Sequence, residues 1–261
     1  MTCTAATIPC RSTGRPSLRP YLLSKWVSDS RREEITTGQD GPTDETLALL
    51  AAIYSVKVLE PDETLYLESE PADRGYEILS GVMRETTFLP DGRRHVSAFL
   101  TEGSLLGLAE THSYTHTVEA VTRTRLIGFN RAAFLRIVAD DAVFAEAMTR
   151  HLIGKLEDTD RRFRIVACLN AVSRTALFLL WLARPASDKS APVSANPVRI
   201  PMGRRDIADH LGLSVETVCR CLTQLKERGL IQMADPHSLR IPNPGALKGF
   251  AMNDDPAMRI A

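Results

Sequence analysis

The sequence predicts an α+β chain in three parts: a β-rich domain, a long amphipathic helix, and a C-terminal helix-turn-helix followed by a wing. Three observations carry this. Short β-rich runs recur between turn signals from about residue 55 to 130. Apolar residues then recur every three or four positions from Met148 to Val166. Two short helical patterns finally flank Gly212, and a hairpin pattern follows them.

Composition sets the outer limits. The 261 residues carry 32 Lys+Arg against 32 Asp+Glu, with 44% hydrophobic and 25% charged residues. A chain of that balance buries a core and is not disordered throughout. Its longest fully apolar runs are eight residues, Leu47 to Tyr54 and Ala176 to Ala183. A membrane span needs roughly 20. Zero net charge means that any nucleic-acid partner must be argued from a local motif. Five cysteines and no secretory signal favour a reducing, cytoplasmic setting over a disulfide framework.

Residues 1–43 show no sustained periodicity and are rich in Thr, Ser, Arg and Pro. They are expected to form a flexible extension. The run DETLALLAAIY (44–54) reads as one short helix, capped by Asp44 or Thr43. The β-rich stretches follow: VKVL, TLYL, YEILSG, VMRETTFL, RHVSAFL, HTVEAV and RLIGF. Their spacing indicates a sandwich or a barrel, and Phe88-Leu-Pro-Asp-Gly-Arg-Arg94 is the clearest hairpin. This β-rich domain is expected over residues 44–138.

The alternation stops after residue 130. Met148, Leu152, Leu156, Thr159, Phe163 and Val166 lie along one narrow seam, close to a heptad. The seam could pack on its own domain. Its length, and the flanking charges Arg150, Glu157, Arg161 and Arg162, favour pairing with a second copy of the chain. A further helix over Ala171–Ala183 completes this region, 139–184, and Arg184-Pro185 ends it. Residues 185–201 are Pro/Ser-rich and read as a loop.

The C-terminal region, 185–250, carries the functional signal, and residues 251–261 form a tail. Arg204–Leu211 sets Ile207 and Leu211 on one helical face, and Gly212 breaks it. Ser214 is a natural N-cap for a second helix, from Val215 to about Arg228, with Gly229 after it. Val218, Leu222 and Leu225 share the face that must be buried. Glu216, Cys219, Arg220 and Thr223 share another. A recognition helix offers such residues to base edges in the major groove, where Arg reads guanine and Glu accepts from cytosine. Glu216 and Arg220 could instead form an ordinary i,i+4 surface pair, but their setting in a two-helix unit favours base reading. Arg204, Arg205, Ser214, Thr217 and Thr223 are candidates for phosphate contacts. Residues 230–241 read as the wing. Residues 203–229 hold five basic and four acidic residues, so affinity is expected from a dimer that doubles the contacts.

In this order the stretches EPADRGYEILSGVMRETTFLPDGRRHVSAF, EGSLLGLAETHSYTHTVEAVTRTRLIGF and PMGRRDIADHLGLSVETVCRCLTQLKERGLI resemble the Crp/Fnr family of bacterial transcription regulators, most closely its FixK-like branch. The resemblance covers most of residues 65–241. It implies a cyclic-nucleotide-binding-type β-roll (a jelly roll), a dimerisation helix and a winged helix-turn-helix. It also implies a homodimer on double-stranded DNA, with RNA polymerase as a partner if the protein activates. The family's base-reading motif, Glu-x-x-Ser-Arg, stands here as Glu216, Thr217, Val218, Cys219, Arg220. By resemblance, Glu216 and Arg220 read a TTGA…TCAA-type palindrome. Cys219 replaces the usual Ser with a weaker hydrogen-bond donor.

The family's control inputs can be read the same way. Cyclic-nucleotide members place a ribose-binding Glu after the Gly of this turn, and an Arg-Ser pair at the phosphate. Here Leu108 follows Gly107, and His112-Ser-Tyr-Thr-His116 lacks the Arg. Iron–sulfur members need four thiolates, yet no Cys lies between residues 11 and 167. Haem would rest on His112 and His116 alone. The expectation is therefore a regulator with no cofactor and no metal, governed by its abundance. The alternatives are an effector-gated sensor, with haem or another small ligand in the β-roll, and thiol control through Cys219. Oxidation would add bulk there, and neighbouring Arg220 favours the thiolate. Cys221 points away, toward the core, and Cys168 is expected to be buried. The six histidines are scattered and no nucleophile–base constellation is present, so no enzymatic activity is expected.

Overall fold

A computed structural model describes residues 53–108, 112–168, 170–184 and 197–253, together with Glu45, Thr46 and Leu49. The expected extension over 1–43, its cysteines Cys3 and Cys10, and the caps Thr43 and Asp44 lie outside the described residues. Glu45, Thr46, Leu49 and Ile53 are helical, but Tyr54 already belongs to a strand. It pairs with Phe129 and their rings lie 5.7 Å apart, so strand pairing takes the last residue of the expected helix.

Eight strands follow: β1 (Tyr54–Leu59), β2 (Thr64–Tyr66), β3 (Arg74–Ser80), β4 (Met83–Phe88), β5 (Arg94–Leu100), β6 (Leu105–Leu106), β7 (Thr117–Ala120) and β8 (Thr124–Asn130). They form two antiparallel sheets, ordered β1-β8-β3-β6 and β2-β7-β4-β5. β6 has two residues, too few for an alternating pattern to reveal in sequence. Ile78, Met83, Val118, Ala120 and Leu126 are fully buried between the sheets.

At one end of this interior, Tyr66 stacks on Tyr114 with centroids 3.7 Å apart and planes 12° apart, and Tyr76 lies 6.0 Å from Tyr66. The Tyr114 hydroxyl donates to the Arg74 carbonyl at 2.9 Å. Burial pushes the Tyr114 pKa up. Gly107 (φ +71°) lies against this point, where a Cβ would sit 2.5 Å from the Arg74 carbonyl oxygen and 3.2 Å from the Tyr114 ring. Only glycine meets both the left-handed backbone and the close approach.

Two helices follow β8, and the first of them, with the start of the second, covers the outer face of the β1-containing sheet. α1 (Arg131–Asp140) starts at Asn130, whose side chain accepts from the Ala133 amide. α2 (Ala142–Cys168) is separate from it. Asp141 breaks the run and caps α2, its carboxylate accepting from the Phe144 amide at 2.9 Å and from the Thr46 hydroxyl at 2.8 Å. Phe129, Phe134, Phe144 and Met148 make the core beneath. α1 thus spans the expected boundary at 138/139.

The C-terminal part holds α3 (Ala171–Leu182), β9 (Val198–Arg199), α4 (Arg204–Leu211), α5 (Val215–Glu227), β10 (Gln232–Asp235), β11 (Ser238–Arg240) and α6 (Pro244–Asn253). α6 runs across the expected boundary at 250/251. The wing is a three-stranded sheet ordered β10-β11-β9. The stretch 185–201 was expected to be loop throughout, but Val198–Arg199 pairs with Ser238 and Leu239. A two-residue strand within the three residues between Pro197 and Pro201 is too short to carry a local strand signal. Its partner, forty positions later, supplies the order.

Candidate nucleic-acid interface

The two-helix unit follows from its local residues. Gly212 ends α4 in the left-handed region (φ 65°), which residues with a Cβ resist. Ser214 caps α5 by accepting from the Thr217 amide at 3.1 Å. Val218, Leu222 and Leu225 are buried against Ile207, Ala208 and Leu211. Burying that face turns the other one outward. Glu216 and Arg220 are 80% and 71% exposed in their side chains. Cys219 and Thr223 are also exposed.

Arg220 Nε lies 3.9 Å from Glu216 Oε1, outside hydrogen-bond distance. An exposed pair that loose adds little to stability, so both side chains can turn to another partner. The first-turn amides of α5 point out from the same end and offer donors to an anion.

The residues expected at phosphates are distributed unevenly. Arg205 is exposed. Arg204 is half-buried and donates from Nη2 to the Pro236 carbonyl at 2.7 Å, so it ties α4 to the wing turn. Desolvation lowers its pKa, and nearby Cys219 opposes that shift. The Ser214 and Thr217 hydroxyls are hydrogen-bonded to each other at 2.8 Å within the cap. Thr223 donates to the Cys219 carbonyl at 3.1 Å, leaving its lone pairs outward. Cys221, by contrast, is buried, and burial pushes its thiol pKa up.

The seam residues also separate. Met148 is buried in its own chain, beside Phe144. Leu152, Leu156 and Phe163 are exposed large apolar side chains, and Thr159 lies among them, also exposed. Ile153 widens the stripe. The side chains of Val166 and Cys168, and of the flanking charges Glu157, Arg161 and Arg162, lie outside the described residues. Among the described residues, no group of three or more His, Cys, Asp or Glu side chains could hold a metal ion, and no helix is long and apolar enough to cross a membrane.

Comparison with known proteins places this geometry. Residues 173–250 match the Crp-like helix-turn-helix domain, and residues 56–141 match the cyclic nucleotide-binding domain. The transcriptional activatory protein AadR of Rhodopseudomonas palustris is 32% identical over 73% of this chain and 79% of its own length. The nitrogen fixation regulation protein FixK of Rhizobium meliloti is 30% identical over 86% of this chain and 98% of its own. The chain belongs to the Crp/Fnr family. The structure of FixK2 from Bradyrhizobium japonicum superimposes with a TM-score of 0.68, at 29% identity over 76% of this chain and 96% of that one. The fold is therefore the α+β arrangement of the family, and the helix-turn-helix is that of a DNA-binding transcription regulator. This is a family of regulators and not of enzymes.

Membership in this Crp/Fnr family raises the question of a cyclic nucleotide. The residues here do not fit one. Leu108 stands where the ribose-binding Glu belongs. The Tyr66–Tyr114 stack fills the adjoining interior, and the Tyr114 hydroxyl already occupies the Arg74 carbonyl beside Gly107. Sequence reading did not single out these tyrosines, because three aromatics in separate strands and loops look like ordinary core residues.

Proposed function

We propose that this protein is a homodimeric, sequence-specific transcription activator of the FixK-like branch that works without a bound effector. Its recognition helices enter adjacent major grooves of a TTGA…TCAA-type palindrome, roughly 34–36 Å apart. Glu216 and Arg220 read bases, with Cys219 between them. Arg205, Ser214, Thr217, Thr223 and the α5 N-terminus meet phosphates, while Arg204 contributes by holding the wing. The exposed stripe Leu152, Leu156, Thr159 and Phe163, continued by Val166, forms the dimer seam. The observation that carries this reading is the outward pairing of Glu216 and Arg220 on a Ser214-capped helix whose opposite face is buried. The names of the relatives, a transcriptional activatory protein and a nitrogen fixation regulation protein, support activation and nitrogen-fixation genes as targets; RNA polymerase as the activator's partner and low-oxygen genes are carried over from the FixK-like resemblance. The filled β-roll interior supports independence from small ligands.

Binding-site selection with the wild-type chain and with Arg220→Ala tests it. The wild type is expected to return a TTGA…TCAA-type site. The variant loses about 1–3 kcal/mol per half-site and its discrimination at one base. Recovery of the unchanged consensus by the variant would refute the assignment. Thiol control is a second reading, favoured by the exposed free thiol of Cys219 beside Arg204.

A further inference from the structure

We propose that the β4–β5 hairpin positions the DNA-binding module for operator binding, with Arg84 and Arg94 gripping Asp206 and Asp209 of α4; this rests on the function proposed above. The grip is built from both sides. Arg84 Nη1 donates to Asp206 Oδ2 at 3.1 Å, and is itself braced from the β-roll by Glu119 at 2.9 Å and Asp62 at 3.0 Å. Arg94 donates to the other Asp206 oxygen and, at 2.9 Å, to Asp209. The Arg84, Arg94, Asp206 and Asp209 side chains are all 22% exposed or less. Charges so withdrawn from water are held by one another, and removing one partner strands the rest.

A register irregularity makes the grip possible. Arg94 and Val96 face one way in β5, and Phe99 is three residues further, an odd step that would normally point it to the opposite face. Between Glu85↔Ala98 and Thr86↔Val96 the register shifts, and Ser97 is the extra residue. This bulge puts Arg94, Val96 and Phe99 on the same side as Arg84. Val96 and Phe99 are buried in one continuous core with α3, α4 and α5. Phe99 lies 6.0 Å from Phe178 and 5.0 Å from the His210 ring. Backbone contacts close the joint: His210 Nδ1 lies 2.9 Å from the Val96 carbonyl oxygen, and His95 Nδ1 lies 3.1 Å from that of Asp209.

The docked face of α4 is the one that α5 does not need. Glu216, Cys219 and Arg220 stay open while α4 is held. The joint therefore presets a reading orientation. It also pairs two carboxylates that would otherwise repel phosphate from an element next to DNA. A permanent set of ion pairs and apolar anchors does here what a ligand would do in a gated regulator. Arg84 and Arg94 are positioning residues, acting on DNA through α4.

The test is a double-mutant cycle in the full-length chain: Arg94→Ala, Asp209→Ala and the pair. Two readouts are needed, affinity for a TTGA…TCAA duplex and amide hydrogen exchange in α4 and β4–β5. Each single change is expected to weaken duplex binding about 3- to 30-fold, and the double should be no weaker than Arg94→Ala alone, since coupled partners are not additive. Exchange should quicken in α4 and in the hairpin. Additive losses, unchanged or tightened binding, or unaltered exchange would each overturn the proposal. Asp209→Asn, which removes the charge and keeps the size, serves if an alanine variant fails to fold. Failure of the wild type to bind any operator would count against the DNA reading alone, and exchange would still decide whether these side chains hold the two parts together.

Discussion

Replacing Phe163 with Ala should dissolve the dimer without unfolding the chain. Phe163 is 70% exposed in one chain, and Leu156 beside it in the stripe is equally so. A phenylalanine brings about 150–250 Å² to an interface, so about 140 Å² of Phe163 awaits a partner. At about 25 cal/mol per Å², covering it contributes about 3.5 kcal/mol per subunit and about 7 kcal/mol for the two copies. Association converts only part of buried area into affinity. About half, some 3–4 kcal/mol, is a fair expectation, and it corresponds to a dimer Kd about 100- to 1000-fold weaker. Sedimentation velocity over a dilution series from nanomolar to micromolar measures it. Thermal unfolding at concentrations where both proteins are monomeric serves as the control, because an exposed side chain contributes little to its own chain. If Phe163→Ala dissociates at the same concentration as the wild type, the seam is not the dimer interface. If the monomer itself loses several degrees, the residue packs within its own chain and the area argument fails.

The remaining predictions concern DNA, thiols and ligands. Arg205→Ala should weaken binding evenly across operator sequences and lower the salt slope by about 1; a loss confined to one base position would move Arg205 into base reading. Cys219 should alkylate near neutral pH while Cys221 stays protected, because burial raises the Cys221 pKa and keeps it a thiol as pH rises through the usual cysteine range. Peptide mapping by mass spectrometry separates the two, and equal labelling of the native protein would contradict the packing of α5. Cyclic AMP at millimolar concentration should leave the melting temperature unchanged, since only a ligand that binds the native state raises it. A rise of several degrees would mean that the tyrosine stack opens.

Much of the reading helix was legible along the chain. Its cap, its buried face and its exposed pair are set by residues within a few positions of one another: Ser214 and Thr217, then Val218, Leu222 and Leu225, then Glu216 and Arg220. The hairpin at Phe88–Arg94 was legible for the same reason. Other features were not. Met148 fits the heptad as well as Leu152 does, and only the packing of the start of α2 on Phe129 and Phe134 separates them. Arg204 looks like any basic residue beside a recognition helix until the wing turn arrives at its guanidinium. Val198–Arg199 becomes a strand only because β11 returns to it.

Periodicity and capping identify a β-rich domain, a long helix and a reading helix along the chain, and the five-residue motif at 216–220 carries the family resemblance that implies a β-roll, because each depends on near neighbours. How the parts are joined, and the tyrosine stack that adds to the missing Glu and Arg in leaving no room for a nucleotide, came only with the tertiary structure. Arg84 meets Asp206 across 122 positions of chain, and Tyr66 of β2 meets Tyr114 of the loop before β7. Pairings at that distance leave no local pattern. They exist only because the sheets, the Ser97 bulge and the packing of α4 bring the groups together, and burial then makes their charges and rings depend on one another.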